Sequence, residues 1–139
     1  MEYWNEGDRV YAYWDEDDYF YPATILNIAE DDIFIRFDTG EEEWTQADYL
    51  EEYAVSENEE VECKAARDGQ YYDVTVRSAD GDRVEVEFSD GSTEWTTLNH
   101  IRFYIEEWQK DGLLITSRLF VKKQDQQFFN PVAKILLDM

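Results

Sequence analysis

The chain has 139 residues, with 34 acidic against 12 basic side chains and a formal net charge of −22. This length excludes a large multidomain enzyme, and this charge disfavours groove-reading of nucleic acid, which depends on basic side chains that neutralise phosphates. Because 43% of the residues are hydrophobic and 17% are aromatic, the chain has the material for a core that acidic disordered segments lack.

An internal repeat organises most of the chain. A shift of 51 positions aligns residues 7–53 with residues 58–104 without a gap. Identical aromatic and glycine residues fall in one register that chance does not produce. They include the pairs Tyr21/Tyr72, Phe37/Phe88, Gly40/Gly91 and Trp44/Trp95. The chain therefore contains two copies of one small unit, which we predict as domains 1–54 and 55–105.

Short β-strands follow one another in each copy. In the first copy, before a helical turn near 47–50 and a closing strand, they are predicted at residues 9–14, 20–28, 32–38 and 41–46. Apolar residues alternate in the third strand at Ile33, Ile35 and Phe37, which is the period of a half-buried strand. We predict an all-β protein that consists of two tandem small five-stranded barrels with a short linker.

Residues 106–139 lie outside the repeat. We predict a hairpin that prolongs the last strand and then a short helix, with Asn130 as its cap and Pro131 at its first position. We expect this extension to dock on the two barrels. The alternative is that it forms an apolar segment for another protein chain.

Residues that carry reactive chemistry are scarce. A single cysteine, Cys63, excludes an internal disulfide, and a single histidine, His100, leaves no thiolate or imidazole metal cluster. We therefore expect neither a metal nor a cofactor. No apolar run approaches the roughly 20 residues that span a bilayer, and residues 1–6 lack the features of a secretory signal. We expect a soluble intracellular protein without membrane contact.

Six segments of the repeat share an order and spacing with a known family. These segments are residues 7–14, 19–25, 35–40, 61–63, 68–72 and 86–91. Through them both copies resemble Tudor domains, members of the group of Tudor, Agenet and chromo-barrel folds. The resemblance implies a non-catalytic module that holds methylated lysine or methylated arginine in an aromatic cage, where ring faces attract a poorly hydrated cation.

The resemblance assigns the methyl-cation cage mainly to the first copy. The family's cage positions fall there on Trp14, Tyr21, Phe37, Thr39 and Glu41. In the second copy Ala65 stands at the position of Trp14. What remains is a partial cage of Tyr72, Phe88 and Asp90. We therefore expect the first copy to hold the ligand and the second copy to support or extend its surface.

Acidic residues concentrate on the first copy, where residues 7–53 hold 15 acidic and 2 basic side chains. An acidic rim is predicted beside the cage at Asp15, Glu16, Asp17, Asp18 and Asp38. Such a surface attracts basic peptides and repels nucleic acid. We expect a monomer whose partner is a basic peptide, with a methylated histone tail or an arginine-glycine-rich segment as the family's usual ligand. Its location is nuclear if the source is eukaryotic.

Several other interpretations stay open. Phe37 shares strand parity with Ile33 and Ile35, so the cage rings could instead pack a small core. Trp44 and Trp95 recur in one context, which favours a structural role, and the runs at 51–52 and 57–60 favour a solvated acidic face. The alternative function is an acidic interaction module that needs no methylation, or a decoy that imitates nucleic acid. A copy of about 50 residues leaves little room for a catalytic cleft, so we predict no enzyme.

Overall fold

The structure is a computed structural model that describes residues 3–105. These residues form ten antiparallel strands and two single-turn 3-10 helices, Ala47–Tyr49 and Leu98–His100. The strands are β1 (Arg9–Trp14), β2 (Tyr19–Ala29), β3 (Asp32–Phe37), β4 (Glu42–Thr45), β5 (Leu50–Glu52), β6 (Glu60–Lys64), β7 (Tyr71–Asp80), β8 (Arg83–Phe88), β9 (Thr93–Thr97) and β10 (Ile101–Tyr104). The predicted extension at 106–139 lies outside the described residues. Within them, no helix is long and apolar enough to span a membrane.

The two copies fold alike. In each, four strands form a meander, a 3-10 turn follows, and the fifth strand returns to pair with the first: β5 with β1 and β10 with β6. The second strand of each copy carries a register shift at the same place, after Ile25 and after Val76. The predicted all-β class, strand order and helical turn are confirmed.

A single open sheet contains all ten strands, because β10 pairs with β6 on one side and with β2 on the other. Phe103 lies opposite Phe20 and Tyr104 lies opposite Tyr19 in the β10–β2 register. The Phe20 and Phe103 rings stack with centroids 5.1 Å apart. The prediction of two tandem five-stranded barrels is not confirmed, because these pairings join the copies in one open sheet.

Strand β1 is buried on both faces. Val10 and Ala12 belong to the core of the first copy, whereas Tyr11 and Tyr13 belong to the core of the second. Its central residues contain no charged side chain, as is typical of a strand covered on both sides. The Tyr11 hydroxyl donates a hydrogen bond of 2.7 Å to the Leu98 carbonyl oxygen, which ties the copies together.

Four side chains differ in solvent exposure from what the sequence indicates. Trp44 and Trp95 lie on the surface with 53% and 46% of their areas exposed, although their recurrence favoured a structural role. Glu51 and Glu59, interpreted as parts of solvated acidic runs, are only 4% and 7% exposed. The Glu59 carboxylate accepts a hydrogen bond from the Ser56 backbone N–H at 2.9 Å, so the loop before β6 folds over it.

Candidate functional site

A cleft of about 710 Å³ opens at the junction of the two copies. The first copy lines it with Trp14, Glu16, Tyr21, Pro22, Phe37, Asp38, Thr39 and Glu41. The second copy lines it with Lys64, Tyr71, Asn99 and His100. The five residues predicted as cage positions are therefore brought together at one cleft. The second copy extends its surface, through residues that the sequence did not identify.

Three aromatic rings of the first copy line the cleft, and three strands position them. Trp14 ends β1, Tyr21 lies near the start of β2 and Phe37 ends β3. Trp14 meets Phe37 edge to face, with ring centroids 5.1 Å apart and an interplanar angle of 82°. Phe37 is only 3% exposed and belongs to the first core, whereas Trp14 and Tyr21 are half-buried. Phe37 is therefore a core residue that also lines the cleft. The other two rings offer accessible surface.

The Tyr21 ring is fixed through its hydroxyl group. That hydroxyl donates a hydrogen bond to the Asp17 carboxylate and accepts one of 2.8 Å from Nη1 of Arg102. Partial burial, and then the bond to Asp17, raise the pKa of Tyr21 to about 12. The ring is therefore neutral and held in one orientation at physiological pH.

Two carboxylates of the predicted acidic rim serve the structure of the β1–β2 turn. Asp17 accepts the Tyr21 hydroxyl and also the Tyr19 backbone N–H at 3.0 Å. Asp18 has a positive φ of 66° and accepts the Tyr13 hydroxyl, whose pKa rises through burial and through this bond. Both acids hold rings in place, and neither lines the cleft.

The other rim acids divide between two places. Asp15 lines a separate, smaller cleft of about 200 Å³ on another side of the turn. Asp38 lines the main cleft but is paired with Arg9 through two bonds of 2.7 and 2.9 Å. Glu16 and Glu41 are exposed and line the cleft, so they are the carboxylates best placed to meet a cation there. Across residues 3–105 the His, Cys, Asp and Glu side chains form no group that could hold a metal ion.

The second wall of the cleft carries a basic residue. The Lys64 ammonium lies 6.0 Å from the Tyr71 ring centroid, and within residues 3–105 no carboxylate forms a salt bridge with it. His100 bonds through Nδ1 to the Thr96 hydroxyl at 2.9 Å. The sequence indicates neither His100 nor Lys64 as a lining residue, because no local pattern shows which face of the second copy meets the first.

An arginine behind the cleft joins the copies. The Arg102 guanidinium carbon lies 3.8 Å from the Tyr71 ring centroid and 4.3 Å from that of Tyr19. The same side chain pairs with Glu62 at 2.8 Å. Through its additional bond to Tyr21, Arg102 fixes one cage ring relative to the second copy. No local sequence pattern indicates a role for Arg102, since its partners lie far away in the chain.

Two of the three residues predicted as a partial cage in the second copy are in contact. The Tyr72 and Phe88 rings meet edge to face with centroids 6.0 Å apart, and the Tyr72 hydroxyl donates to Asp68 at 2.5 Å. Asp90 instead accepts the backbone N–H and hydroxyl of Ser92, at 2.9 and 2.6 Å. These bonds to Ser92 lower the pKa of Asp90. The two rings are therefore in contact, whereas the acid is engaged in a turn.

Comparison with known proteins supports the fold. No protein-family model matches this sequence, and no curated protein matches it. A crystal structure of the Crb2 tandem tudor domains is similar, with a TM-score of 0.54, 14% identity, and coverage of 88% of this chain and 86% of that chain. The chain has a tandem Tudor-type fold.

A second solved structure has a weaker likeness to this tandem Tudor-type fold. It is AGD34 of Arabidopsis thaliana AGDP1, with a TM-score of 0.38, 10% identity, and coverage of 73% of this chain and 83% of that chain. A likeness at this level carries no weight for the fold. The Crb2 similarity, at 14% identity, concerns the fold alone, so function has to be argued from the cleft.

Proposed function

We propose that this protein is a non-catalytic reader that binds a methylated lysine or methylated arginine of a basic peptide at Trp14, Tyr21 and Phe37. The observation that supports the proposal is the cleft itself, because two half-buried rings, a buried third ring and the exposed Glu16 and Glu41 all line it. The family resemblance favours a histone tail or an arginine-glycine-rich segment as the peptide. A histone ligand would imply a nuclear location.

The chemistry of the cleft suits a methylated cation. Methylation removes hydrogen-bond donors and weakens hydration, so the cation loses little when it leaves water for a surface of ring faces. Each ring contact contributes about 0.5 to 2 kcal/mol, more where the cation is desolvated. The Glu16 and Glu41 carboxylates would add attraction that is screened by salt, since both are exposed.

Peptide binding to a Trp14→Ala variant tests the proposal. Fluorescent histone-tail and arginine-glycine peptides, each unmodified and methylated, are titrated at physiological salt. We expect one methylated peptide to bind better than its unmodified form and to lose at least about tenfold in affinity, roughly 1.4 kcal/mol, in the variant.

Trp44→Ala is the matched control, because it removes an exposed tryptophan of the same copy that does not line the cleft. We expect it to leave the affinity unchanged. Equal binding of methylated and unmodified peptides by the wild-type protein would contradict the proposal. A Trp14→Ala variant that fails to fold would show that this ring is core, and Tyr21→Ala would then take its place.

An acidic interaction module without methyl dependence is the second candidate function. The net charge of −22 and the exposed carboxylates of the first copy favour it. Exposed charges are screened as the Debye length falls from about 10 Å at 0.1 M salt to about 3 Å at 1 M. Binding that is equal for all basic peptides and disappears at high salt would support this alternative over the reader.

A further inference from the structure

The ring pair of the second copy already has a cation on it. The guanidinium carbon of Arg67 lies 4.6 Å from the Tyr72 ring centroid and 5.3 Å from the Phe88 ring centroid. Both distances are within the roughly 6 Å at which a cation and a ring attract. Nε of Arg67 also lies 4.0 Å from a carboxylate oxygen of Asp68, so the guanidinium contacts an acidic group as well as the two rings. A positive side chain of this chain thus occupies the partial cage.

The repeat allows a direct comparison with the first copy. Asp17 and Asp68 correspond in the alignment, and each accepts the hydroxyl of the equivalent tyrosine, Tyr21 or Tyr72. The two loops therefore hold their rings in the same way. The residue just before this aspartate is Glu16 in the first copy and Arg67 in the second. At one equivalent position the charge is reversed.

A second difference explains why the arginine fits. Trp14 covers one edge of Phe37 in the first copy, whereas the equivalent residue of the second copy, Ala65, is small and 1% exposed. Without a tryptophan, Phe88 would keep a bare apolar face. The Arg67 side chain covers it, because an arginine stacks on rings while it keeps contact with water.

We propose that Arg67 is an internal ligand of the second copy, and that the residue at this loop position, Glu16 or Arg67, decides which ring pair accepts an external cation. This inference rests on the proposed function. Arg67 lies over both rings of the second pair, whereas in the first pair the Arg102 guanidinium carbon lies 5.7 Å from the Tyr21 ring centroid alone. The ligand class for an opened second site is again a methylated ammonium or guanidinium.

The internal contact competes well because it needs no association step. A tethered group acts at a high effective concentration, so an external cation has to displace it. Two cation–π contacts of an exposed guanidinium correspond to roughly 5- to 30-fold in affinity. We expect removal of the Arg67 charge to raise the affinity of the second ring pair for a cation by this factor.

Two-dimensional NMR of Arg67→Gln tests the inference. Ring signals of Tyr72 and Phe88 are followed while tetramethylammonium chloride is added, with sodium chloride at equal concentration as reference. We expect the chemical shifts of the Tyr72 and Phe88 rings to change little in the wild-type protein and to show a saturable change in the variant. Arg77→Gln is the matched control, because it removes the same charge from β7 at a residue paired with Glu87; we expect it to behave like the wild type.

A measurement without ligand separates this inference from the proposed function. In the wild-type protein the Arg67 side-chain protons should be shifted upfield by the rings, and Tyr72→Leu should reduce that shift. Unshifted Arg67 protons, or Tyr72 and Phe88 signals that stay silent in Arg67→Gln, would overturn the inference. Failure of every methylated peptide to shift Trp14 would overturn the proposed function alone, because the tetramethylammonium response of the second copy does not depend on it.

Discussion

Individual side chains of the cleft are held in place by specific hydrogen bonds and ring contacts rather than by complete burial. Tyr21 is fixed by Asp17 and Arg102, and Trp14 is fixed by its edge-to-face contact with Phe37. A ring that is already oriented loses little conformational freedom when a ligand arrives, which favours binding. The same partners give the cleft measurable signatures at individual residues.

The Tyr21 hydroxyl should titrate late. Its pKa of about 12 lies above the ordinary value of 10.0, so the folded state binds this proton more tightly than the unfolded state does. Its contribution to stability is therefore complete below about pH 10 and is lost as the pH rises from about 10 to 12. NMR titration of the Tyr21 Cζ signal should show this hydroxyl ionising well above pH 10.

A Tyr21→Phe variant gives the control for this titration. The late signal should disappear, and the alkaline loss of stability between about pH 10 and 12 should become smaller. A Tyr21 signal that titrates near pH 10 in the wild-type protein would contradict the assignment of the Asp17 bond.

Lys64 should weaken the attraction of the cleft for a cation. It lines the cleft from the second copy and has no salt bridge within the described part of the chain, so its charge opposes that of an incoming cation. We expect Lys64→Gln to raise the affinity for the methylated peptide roughly two- to fivefold, about 0.5 to 1 kcal/mol, at low salt. Peptide titration at two salt concentrations measures the effect.

Arg83→Gln is the matched control for Lys64, because it removes one positive charge from an exposed residue that stacks on Trp95 and lies outside the cleft. It should change the affinity little. An equal gain in both variants would mean that net charge alone, and not the position of Lys64, governs binding.

Two strands carry most of the contact between the copies. β1 contributes one face to each core, and β10 pairs with a strand of each copy. The equivalent strand of the second copy, β6, is buried on one face only. Its buried residues, Val61 and Cys63, alternate with the less buried Glu62 and Lys64. The Cys63 thiol has a pKa raised to about 12, and burial is the largest cause of this rise. A thiol of this kind is an inert core group.

Removal of the Phe103 ring from β10 should destabilise the whole chain. Phe103 is 3% exposed and packs on Phe20 and Tyr11, so Phe103→Ala leaves a cavity at the junction. We expect the free energy of unfolding in urea to fall by about 3 to 5 kcal/mol. Tyr104→Ala is the control on the same strand, because Tyr104 is 54% exposed, and its effect should stay below about 1 kcal/mol.

On the scale of the whole molecule, the two copies share one sheet and interlocked cores. Tyr11, Tyr13 and Phe20 belong to the first copy in sequence but to the second core in space. The cleft also draws its walls from both copies. Stability and site assembly therefore depend on the pair rather than on either unit alone.

The first copy should not fold as an isolated fragment. Residues 1–54 alone would expose Tyr11, Tyr13 and Phe20 to water, and a unit of about 50 residues has little core to spare. We expect its amide NMR spectrum to be poorly dispersed, whereas the intact chain should unfold in one cooperative transition. A well-dispersed spectrum for residues 1–54, or two separate transitions for the intact chain, would contradict this prediction.

Much of the fold could be predicted from local signals. The shift of 51 positions revealed two copies, and the alternation at Ile33, Ile35 and Phe37 together with turn residues gave the strand order. These features are readable because the period of a strand and the chemistry of a turn depend on neighbours in sequence. The family resemblance likewise predicts the five cage positions, and the structure brings them together at one cleft. Their role in binding remains a prediction.

The tertiary structure alone decided how the copies meet. It determined that β10 bridges to β2, that Lys64, Tyr71, Asn99 and His100 complete the cleft, and that Asp17 and Asp18 bind tyrosine hydroxyls instead of lining it. The physical reason is that these contacts join residues far apart in sequence, so they follow from the docking of two faces and leave no local pattern. The sequence by itself determined the repeated unit and its ring positions, and packing determined which surfaces stay open.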